Sequence, residues 1–253
     1  MLGTARPTLN FANFCKIKIP VPSLAEQEKV IEELAKIKQN IKNSQQIIDN
    51  LNNRLSLSLS LSYGTTKTRK LGEIATFEYG YTTTAGEQGE FRYIRITDID
   101  DYGNISDKDK KYANLLESKD KEKYLLKENN IIMARIGSVG KTALFESNEK
   151  AIFASYLIRI NLNKEIILPK YYWYFTKSQE YWEQVEELVK GTIQPQFNAN
   201  SLKEILMSIP NLTEQEKVII ELEQERKIVI IQKEIIDYFK HKEEKVLNNL
   251  WHN

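Results

Sequence analysis

Cysteine and histidine are nearly absent from this chain of 253 residues, and their scarcity excludes several kinds of site. Cys15 is the only cysteine, so no intrachain disulfide can form and a zinc cage built from cysteines is excluded. The two histidines, His241 and His252, both lie near the C-terminus, which argues against a catalytic metal held by several histidines. We therefore expect no metal site and no cofactor.

Long apolar runs and an excess of one charge are missing as well. No stretch approaches the roughly 18 apolar residues that a membrane-spanning helix needs. The first twenty residues lack the basic start and apolar core of a signal peptide. The formal net charge is +1, with 41% hydrophobic and 28% charged residues, which is typical of a soluble globular protein but points to no partner. We expect a cytoplasmic protein.

What the chain does contain is an internal repeat. Residues 3–34 align without a gap to residues 191–222, at a constant offset of 188. Within the repeat, PSLAEQEKVIEEL (22–34) faces PNLTEQEKVIIEL (210–222), and ten of these thirteen positions are identical. Matches at proline and glutamine as well as at common apolar residues exclude a chance alignment. The repeat therefore divides the chain into two related arms and a middle region.

Each copy predicts the start of a long helix. Ser23 and Asn211 are good N-cap residues, and Glu26 and Glu214 follow three residues later, as in a capping box. Apolar residues then recur at alternating steps of four and three, which predicts a coiled-coil seam. The candidate seam residues are Val30, Leu34, Ile37, Ile41, Ile48, Leu51, Leu55, Val218, Leu222, Val229, Ile236 and Phe239. A pairing within one chain and a pairing between two chains remain equally open.

The helix bounds follow from these signals. We expect one helix over 23–63 and a second over 211–253, and each needs a partner helix of similar length to bury its stripe. The alternating leucines and serines of residues 55–62 fit a strand by their period. Their position at the end of the heptad run favours a helix end instead.

The middle region, residues 65–190, has the residue pattern of a compact α+β domain. Its β-branched and aromatic runs predict strands at 91–99, 131–136 and 151–160. The aromatic and acidic stretch 171–189 predicts one helix. Its 20 basic and 20 acidic residues cancel, so its net charge gives no argument for DNA. Residues 1–22 then form an N-terminal tail before the first helix, and residues 191–210 form the connector that repeats it before the second.

The string Gly137-Ser-Val-Gly-Lys-Thr142 is the most suggestive motif. It looks like the end of a phosphate-binding loop, but Arg135 stands where that motif needs a glycine, and the next residues predict a strand. We interpret it as a tight glycine turn that presents Arg135, Ser138 and Lys141. A guanidinium there could pair with guanine or phosphate. An ordinary hairpin with surface charges would have the same composition.

Two further clusters have a functional and a plain interpretation. Asp98, Asp100 and Asp101 could belong to a nuclease metal site, but a solvated turn explains them more simply. The aromatic residues of 171–182 could stack on bases, although at helical spacing they fit a core. No S-adenosylmethionine loop, amino-methyltransferase motif or nucleophile elbow occurs in the sequence.

Several of these strings together resemble the type I restriction–modification specificity subunits. The resemblance rests on a Gly-Thr-x-x-Pro-x-x-Asn stretch, followed by Ile19-Pro-Val-Pro-Ser-Leu-Ala-Glu-Gln27 and a heptad helix, and the second copy repeats it as Ile209-Pro-Asn-Leu-Thr-Glu-Gln215. Leu71-Gly-Glu-Ile74 and residues 131–137 are similar to the recognition domains of that family. The resemblance covers essentially the whole chain.

The resemblance implies a fold, a function and partners. The fold is α+β, with one globular mixed α/β target-recognition domain flanked by two long coiled-coil helices. The function is sequence-specific binding of double-stranded DNA without catalysis, in company with methyltransferase (modification) and restriction/translocase subunits. Family members carry two recognition domains and this chain carries one, so it resembles a half-length subunit. A homodimer would then read a palindromic target in two separated halves.

The candidate DNA-binding residues lie in loops of the middle region and in the connector. They are Tyr81, Thr83, Arg95, Arg135, Ser138, Lys141, Gln194 and Gln196. The alternative function is a coiled-coil module that binds another protein and has no DNA specificity. A nuclease or methyltransferase with unrecognised motifs is a third possibility.

Overall fold

The computed structural model describes residue 15 and residues 21–61, 67–116, 120–190 and 197–252. The chain divides into two compact units. The first unit comprises Met1–Asn50 and Ile228–Asn253, and the second comprises Leu51–Lys227. Gln194, Gln196 and the predicted tail before Val21, apart from Cys15, lie outside the described residues.

Two long helices dominate the first unit. Helix α1 is Leu24–Leu61 and helix α6 is Leu212–His252, close to the predicted bounds, and the leucine–serine segment is helical. Of the predicted seam in this unit, Ile37, Ile48, Val229 and Ile236 are buried, and so is Ser44. Val30, Leu34, Ile41 and Phe239 are half-buried. The apolar stripe thus forms the least exposed face of each helix.

Contacts between the two helices occur within one chain. Lys242 Nζ lies 3.0 Å from Glu33 Oε1 in the first unit. In the second unit Arg54 Nη2 lies 3.3 Å from Glu225 Oε1. In the second unit Val218 and Leu222 are buried and Leu51 is half-buried, whereas the side chain of Leu55 lies outside the described part.

The second unit contains the middle domain, built from strands and short helices. Its strands are β1 Lys67–Lys70, β2 Ala75–Tyr79, β3 Phe91–Ile94, β4 Tyr112–Ala113, β5 Asn130–Ala134, β6 Thr142–Phe145, β7 Ala151–Phe153, β8 Leu157–Leu162 and β9 Leu206–Ile209. Its helices are α2 Asp120–Tyr124, α3 Pro169–Phe175, α4 Gln179–Val189 and α5 Ala199–Lys203, with 3₁₀ turns at Leu71–Glu73 and Ile96–Asp98. This is the mixed α/β architecture predicted from the sequence.

The strands form three sheets. One is antiparallel in the order β2-β8-β5-β6, and a second has the order β4-β3-β7, with β3 and β7 parallel. The third pairs β1 with β9. Because β9 falls in residues 191–210, the predicted connector contributes a strand to the same compact unit. Phe197, Leu202, Ile205 and Met207 of that segment are fully buried in its main core.

Three predicted elements are interrupted in the structure. The run 91–99 ends as a strand at Ile94, because Arg95 and Asp98 close a capping box around a 3₁₀ turn. The run 151–160 breaks at a turn between Phe153 and Leu157. The predicted helix 171–189 is two helices, because the Ser178 hydroxyl donates to Phe175 O at 2.7 Å and caps α4 by accepting from Tyr181 N. Each break depends on a polar side chain or turn inside an apolar run.

Candidate nucleic-acid interface

The glycine turn connects two antiparallel strands, as predicted. Strands β5 and β6 pair directly, and residues 135–141 turn between them. Gly137 and Gly140 have φ angles of 67° and 83°, a left-handed conformation that suits glycine. Gly140 N donates to Ala134 O at 3.0 Å, and this bond closes the turn. Thr142 begins a strand rather than a helix, so the segment does not have the form of a phosphate-binding loop.

Backbone hydrogen bonds hold Arg135 between two other segments. Its N–H donates to Tyr156 O at 3.0 Å, in the turn between β7 and β8. Its carbonyl accepts from Phe197 N at 2.8 Å, just before α5. Gln196, a predicted DNA-binding residue outside the described part, directly precedes Phe197 in the sequence. The position of Arg135 is therefore fixed by the fold rather than by the turn alone.

In the described part of the chain, the Arg135 side chain packs on an aromatic ring and not against a carboxylate. Its Cζ lies over the Tyr79 ring, 4.9 Å from the ring centre. Its Nε is buried and has no hydrogen-bond partner. Within the described ranges no carboxylate forms a salt bridge with it, whereas Arg92, Arg95, Arg159 and Arg226 all do. Among the described residues, Arg135 is thus a cation without a carboxylate partner whose guanidinium packs on an aromatic ring.

Two tyrosines that the candidate set omitted flank this arginine. Tyr79 ends β2 and Tyr156 lies in the β7–β8 turn, and both side chains are exposed. Gly80 lets the two segments approach, because a Cβ there would collide with the carbonyl oxygens of Phe153 and Ala154. In the sequence, Tyr156 was hidden inside an apparent single strand. A turn signal at Ser155-Tyr156 would have been needed to find it.

The remaining candidates differ in whether their side chains are exposed or already bound to other residues. Ser138 is exposed in the turn, but Lys141 Nζ is paired with Asp101 Oδ1 at 2.9 Å. Thr83 is exposed in the loop after β2, whereas the Tyr81 hydroxyl accepts from Leu116 N at 3.3 Å. Arg95 sits outside this turn and is compensated by two carboxylates. Arg135 and Ser138 are thus the candidates of this turn that remain free of a carboxylate.

Arg95 is bound by Asp98, one of the three aspartates expected to form a solvated turn, and by Asp109 outside that group. Its Nη2 lies 2.6 Å from Asp98 Oδ1 and 3.2 Å from Asp109 Oδ2. These bonds raise the pKa of Arg95. Asp98 is buried, so the solvated interpretation is wrong for this residue. Asp100 does organise the turn, because its Oδ1 accepts from Tyr102 N and Asn104 N at 2.9 and 2.8 Å.

A buried lysine lies beside the strand that follows the glycine turn. Lys177 Nζ donates to Thr142 O at 2.9 Å and lies 5.0 Å from the centre of the Trp173 ring. Burial lowers the pKa of Lys177 to about 7, and the positive charges of Lys141 and Arg226 act in the same direction, while Asp100 opposes them. Burial therefore disfavours the charged form of Lys177 compared with a lysine in water.

The aromatic group of residues 171–182 forms core, as its helical spacing favoured. Six of its side chains are buried in the main cluster: Tyr171, Tyr172, Trp173, Tyr174, Phe175 and Tyr181. Burial raises the pKa of Tyr172 and Tyr181. Trp182 is exposed and packs edge-on against Tyr181 at a centroid distance of 5.6 Å. Base stacking by the six buried rings is therefore sterically excluded.

The described ranges lack two features that would suggest other functions. They contain no group of three or more histidine, cysteine, aspartate or glutamate side chains placed to hold a metal ion. Among their helices, none combines the length and apolar character needed to cross a bilayer.

Comparisons with known proteins identify the family. The profile of the type I restriction modification DNA specificity domain matches residues 1–53 and 63–244, which is most of the chain. The chain belongs to this family, and the resemblance inferred from the repeat is confirmed. It is 25% identical over 239 residues to the StySPI type I restriction enzyme specificity subunit of Salmonella potsdam. It is 32% identical over 100 residues to the putative specificity subunit S.HindORF215P of Haemophilus influenzae.

Solved structures agree in fold. A chain from a study of complex assembly and conformational transition of the type I R-M system superposes with a TM-score of 0.65 at 16% identity, over 98% of this chain and 65% of that one. The S subunit from M. genitalium gives a TM-score of 0.60 at 16% identity, over 91% of this chain and 62% of that one.

The matches cover a larger share of this chain than of its relatives. The StySPI match covers 84% of this chain but 51% of the relative, and the Haemophilus influenzae match covers 39% and 25%. The chain thus spans about half the length of the StySPI subunit.

Proposed function

We propose that this chain is a non-catalytic specificity subunit that reads double-stranded DNA for a type I restriction–modification system. Family membership supports DNA specificity as the general role. The glycine turn with Arg135 supports one part of the middle domain as the surface that reads bases. Side chains on a rigid β-scaffold with short loops are well suited to this task, because the scaffold fixes where each donor points.

The lack of a carboxylate partner for Arg135 among the described residues carries this proposal. An arginine bound to carboxylates has its donors occupied, as in the pairing of Arg95 with Asp98 and Asp109. Arg135 has no such partner in the described ranges, and its guanidinium offers only donors. Phosphate oxygens and the major-groove edge of guanine are the acceptors in DNA that match this geometry. Ser138 of the same turn could contact a phosphate.

The partners follow from the same proposal. We propose that methyltransferase and restriction subunits assemble with the chain, and that the two long helices hold recognition domains apart at a bipartite site. Two copies of the chain would supply two domains, and their two-fold symmetry would match a palindromic target. Light scattering of the purified chain tests the dimer. A mass of one chain across the tested concentrations would contradict it.

One observation favours the second candidate, a protein-binding helical module. Ile228, Ile231 and Tyr238 of α6 are exposed, and their three- and seven-residue steps place them on one face of the helix, where a continuous apolar stripe suits a protein partner. The same surface would serve a methyltransferase subunit. Only the DNA experiment separates the two functions.

That experiment selects DNA from a random duplex pool with the chain and its methyltransferase subunits and then sequences the bound fraction. We expect a consensus in two separated parts. Substitution Arg135→Ala should lower discrimination at one base pair by about 1–3 kcal/mol, because a bidentate contact is lost. The matched control is Arg69→Ala in β1, which removes the same charge outside the turn and should leave the consensus unchanged.

Two results would count against the proposal. Absence of any enriched sequence with the methyltransferase present favours the protein-binding module. An unchanged consensus in Arg135→Ala removes this residue from the reading surface.

A further inference from the structure

We propose that Tyr79 is a positioning residue that orients the Arg135 guanidinium, and that the base read by this pair is guanine. The inference rests on the proposed DNA-reading function and names the base class and the residue that determines it. It depends on three features of the described residues. Tyr79 contacts Arg135, Tyr79 is itself anchored, and no described carboxylate forms a salt bridge with Arg135.

Tyr79 is itself well anchored. It is the last residue of β2 and lies opposite Ile158 in the antiparallel pairing with β8. Its hydroxyl oxygen accepts a hydrogen bond from Ala199 N at 3.2 Å, at the start of α5. The next residue, Gly80, donates its N–H to Leu157 O at 3.1 Å. Its ring is therefore fixed at both ends and can act as a platform.

A neutral platform has an advantage over a carboxylate at this position. A carboxylate would orient a guanidinium but would also occupy its donors and cancel its charge, as Asp98 does with Arg95. An aromatic face attracts the cation through its quadrupole and accepts none of its in-plane N–H groups. Tyr79 can thus restrict the rotamers of Arg135 while the N–H groups that would meet DNA stay free.

The choice of guanine follows from the donors of arginine. A guanidinium carries N–H donors and no acceptor. In the major groove, guanine presents two adjacent acceptors, N7 and O6, whereas adenine presents one acceptor beside a donor. The Nε of Arg135 is buried, so the terminal nitrogens are the atoms left for such a pair. A guanidinium that is held in one orientation and offers only N–H donors therefore matches guanine best.

The test compares three substitutions in the selection assay, with the full chain and its methyltransferase subunits. Tyr79→Leu removes the ring, whereas Tyr79→Phe keeps it and removes the hydroxyl. Tyr156→Leu removes the neighbouring exposed ring, which makes no stack with Arg135 among the described contacts, and it serves as the matched control. Urea unfolding of each variant checks folding, and Tyr79→Gln replaces Tyr79→Leu if the latter does not fold.

The wild-type consensus should contain a guanine whose preference disappears in Arg135→Ala. We expect Tyr79→Leu to weaken the same preference by about 2- to 30-fold, the range that one cation–π contact allows, while affinity for random duplex stays unchanged. Tyr79→Phe keeps the ring but loses the hydroxyl anchor and should weaken the preference less than Tyr79→Leu, whereas Tyr156→Leu should retain it in full. In the Arg135→Ala background, Tyr79→Leu should have no further effect, because the residue acts only through the arginine.

The outcomes separate this inference from the function on which it rests. A wild-type chain that selects no sequence defeats the proposed function. A clear consensus in which Arg135→Ala changes a position other than guanine overturns the base assignment alone. If Tyr79→Leu keeps the guanine preference, or Tyr156→Leu loses it equally, the positioning role of Tyr79 is wrong.

Discussion

The two copies of the repeat share ten of thirteen residues over 22–34 and 210–222 and begin their helices in the same way. In the first copy Glu26 N donates to Ser23 Oγ at 3.4 Å, and in the second Glu214 N donates to Asn211 Oδ1 at 3.0 Å. The glutamine that follows also makes the same local bond in both copies. Gln27 Nε2 and Gln215 Nε2 each donate to the preceding proline carbonyl, Pro22 O and Pro210 O, at 2.8 Å.

The same side chains meet different surroundings. Gln215 is completely buried, and it also donates to Ile166 O at 2.9 Å and accepts from Leu168 N at 2.8 Å, which binds α6 to the loop before α3. Gln27 is only half-buried. Val21 is 78% exposed, whereas its equivalent Ile209 is 9% exposed. Similar sequence therefore produced similar local structure, and the contacts with the middle domain decided that the second copy is buried.

The largest difference between the copies should appear at the matched leucines. Leu222 is buried in the main core, and Leu34 is half-buried. We expect Leu222→Ala to lower the free energy of unfolding by about 2–5 kcal/mol, because it leaves a cavity in a packed core. Leu34→Ala should cost clearly less. Urea denaturation measures both, and equal losses would mean that the two copies are buried alike.

The matched glutamines sharpen the comparison without changing the apolar core. Gln215→Ala leaves Ile166 O and Leu168 N without their partner in a buried place, and we expect a loss of about 2–3 kcal/mol. Gln27→Ala should cost less than about 1 kcal/mol, because water can replace the bond to Pro22 O. Hydrogen exchange at the Leu168 amide gives a local readout. Unchanged exchange in Gln215→Ala would contradict the bridging role.

The caps should behave alike, because they depend on the local sequence. Ser23→Ala and Asn211→Ala should each cost about 1 kcal/mol of helix stability. Exchange rates of the first-turn amides in α1 and α6 measure this effect. A cap substitution that is harmless in one copy and costly in the other would show that tertiary contacts reach the helix start.

The smallest effect concerns pH and the first copy. Hydrogen bonds from the Ser23 side chain and backbone lower the pKa of Glu26. A depressed carboxyl pKa means that its stabilising contribution is present above the unfolded pKa and is lost as the pH falls through the folded pKa. NMR titration of Glu26 should show the lowered pKa, and Ser23→Ala should move it back up. If Glu26 titrates at the same pH in the wild type and in Ser23→Ala, the Ser23 hydroxyl does not lower its pKa.

The candidate site was only partly predictable from the sequence. The glycine turn and Arg135 could be found because glycine spacing between two apolar runs is a local signal. The role of Tyr79 could not be inferred, because its contact with Arg135 joins the end of β2 to a turn that is distant in the sequence. Lys141 and Arg95 were chosen for their charge, and the structure shows carboxylates bound to both. Nothing in the local sequence distinguishes a free cation from a paired one.

The sequence by itself determined the repeat, the two capped helices and the strand–turn–strand around Gly137, because these features depend on residues within a few positions of each other. The tertiary structure decided which copy of the repeat is buried, where the runs at 91–99 and 151–160 break, and which of the candidate cations are bound to carboxylates. Those outcomes depend on packing between segments distant in the chain, and a period or a motif carries no information about such neighbours.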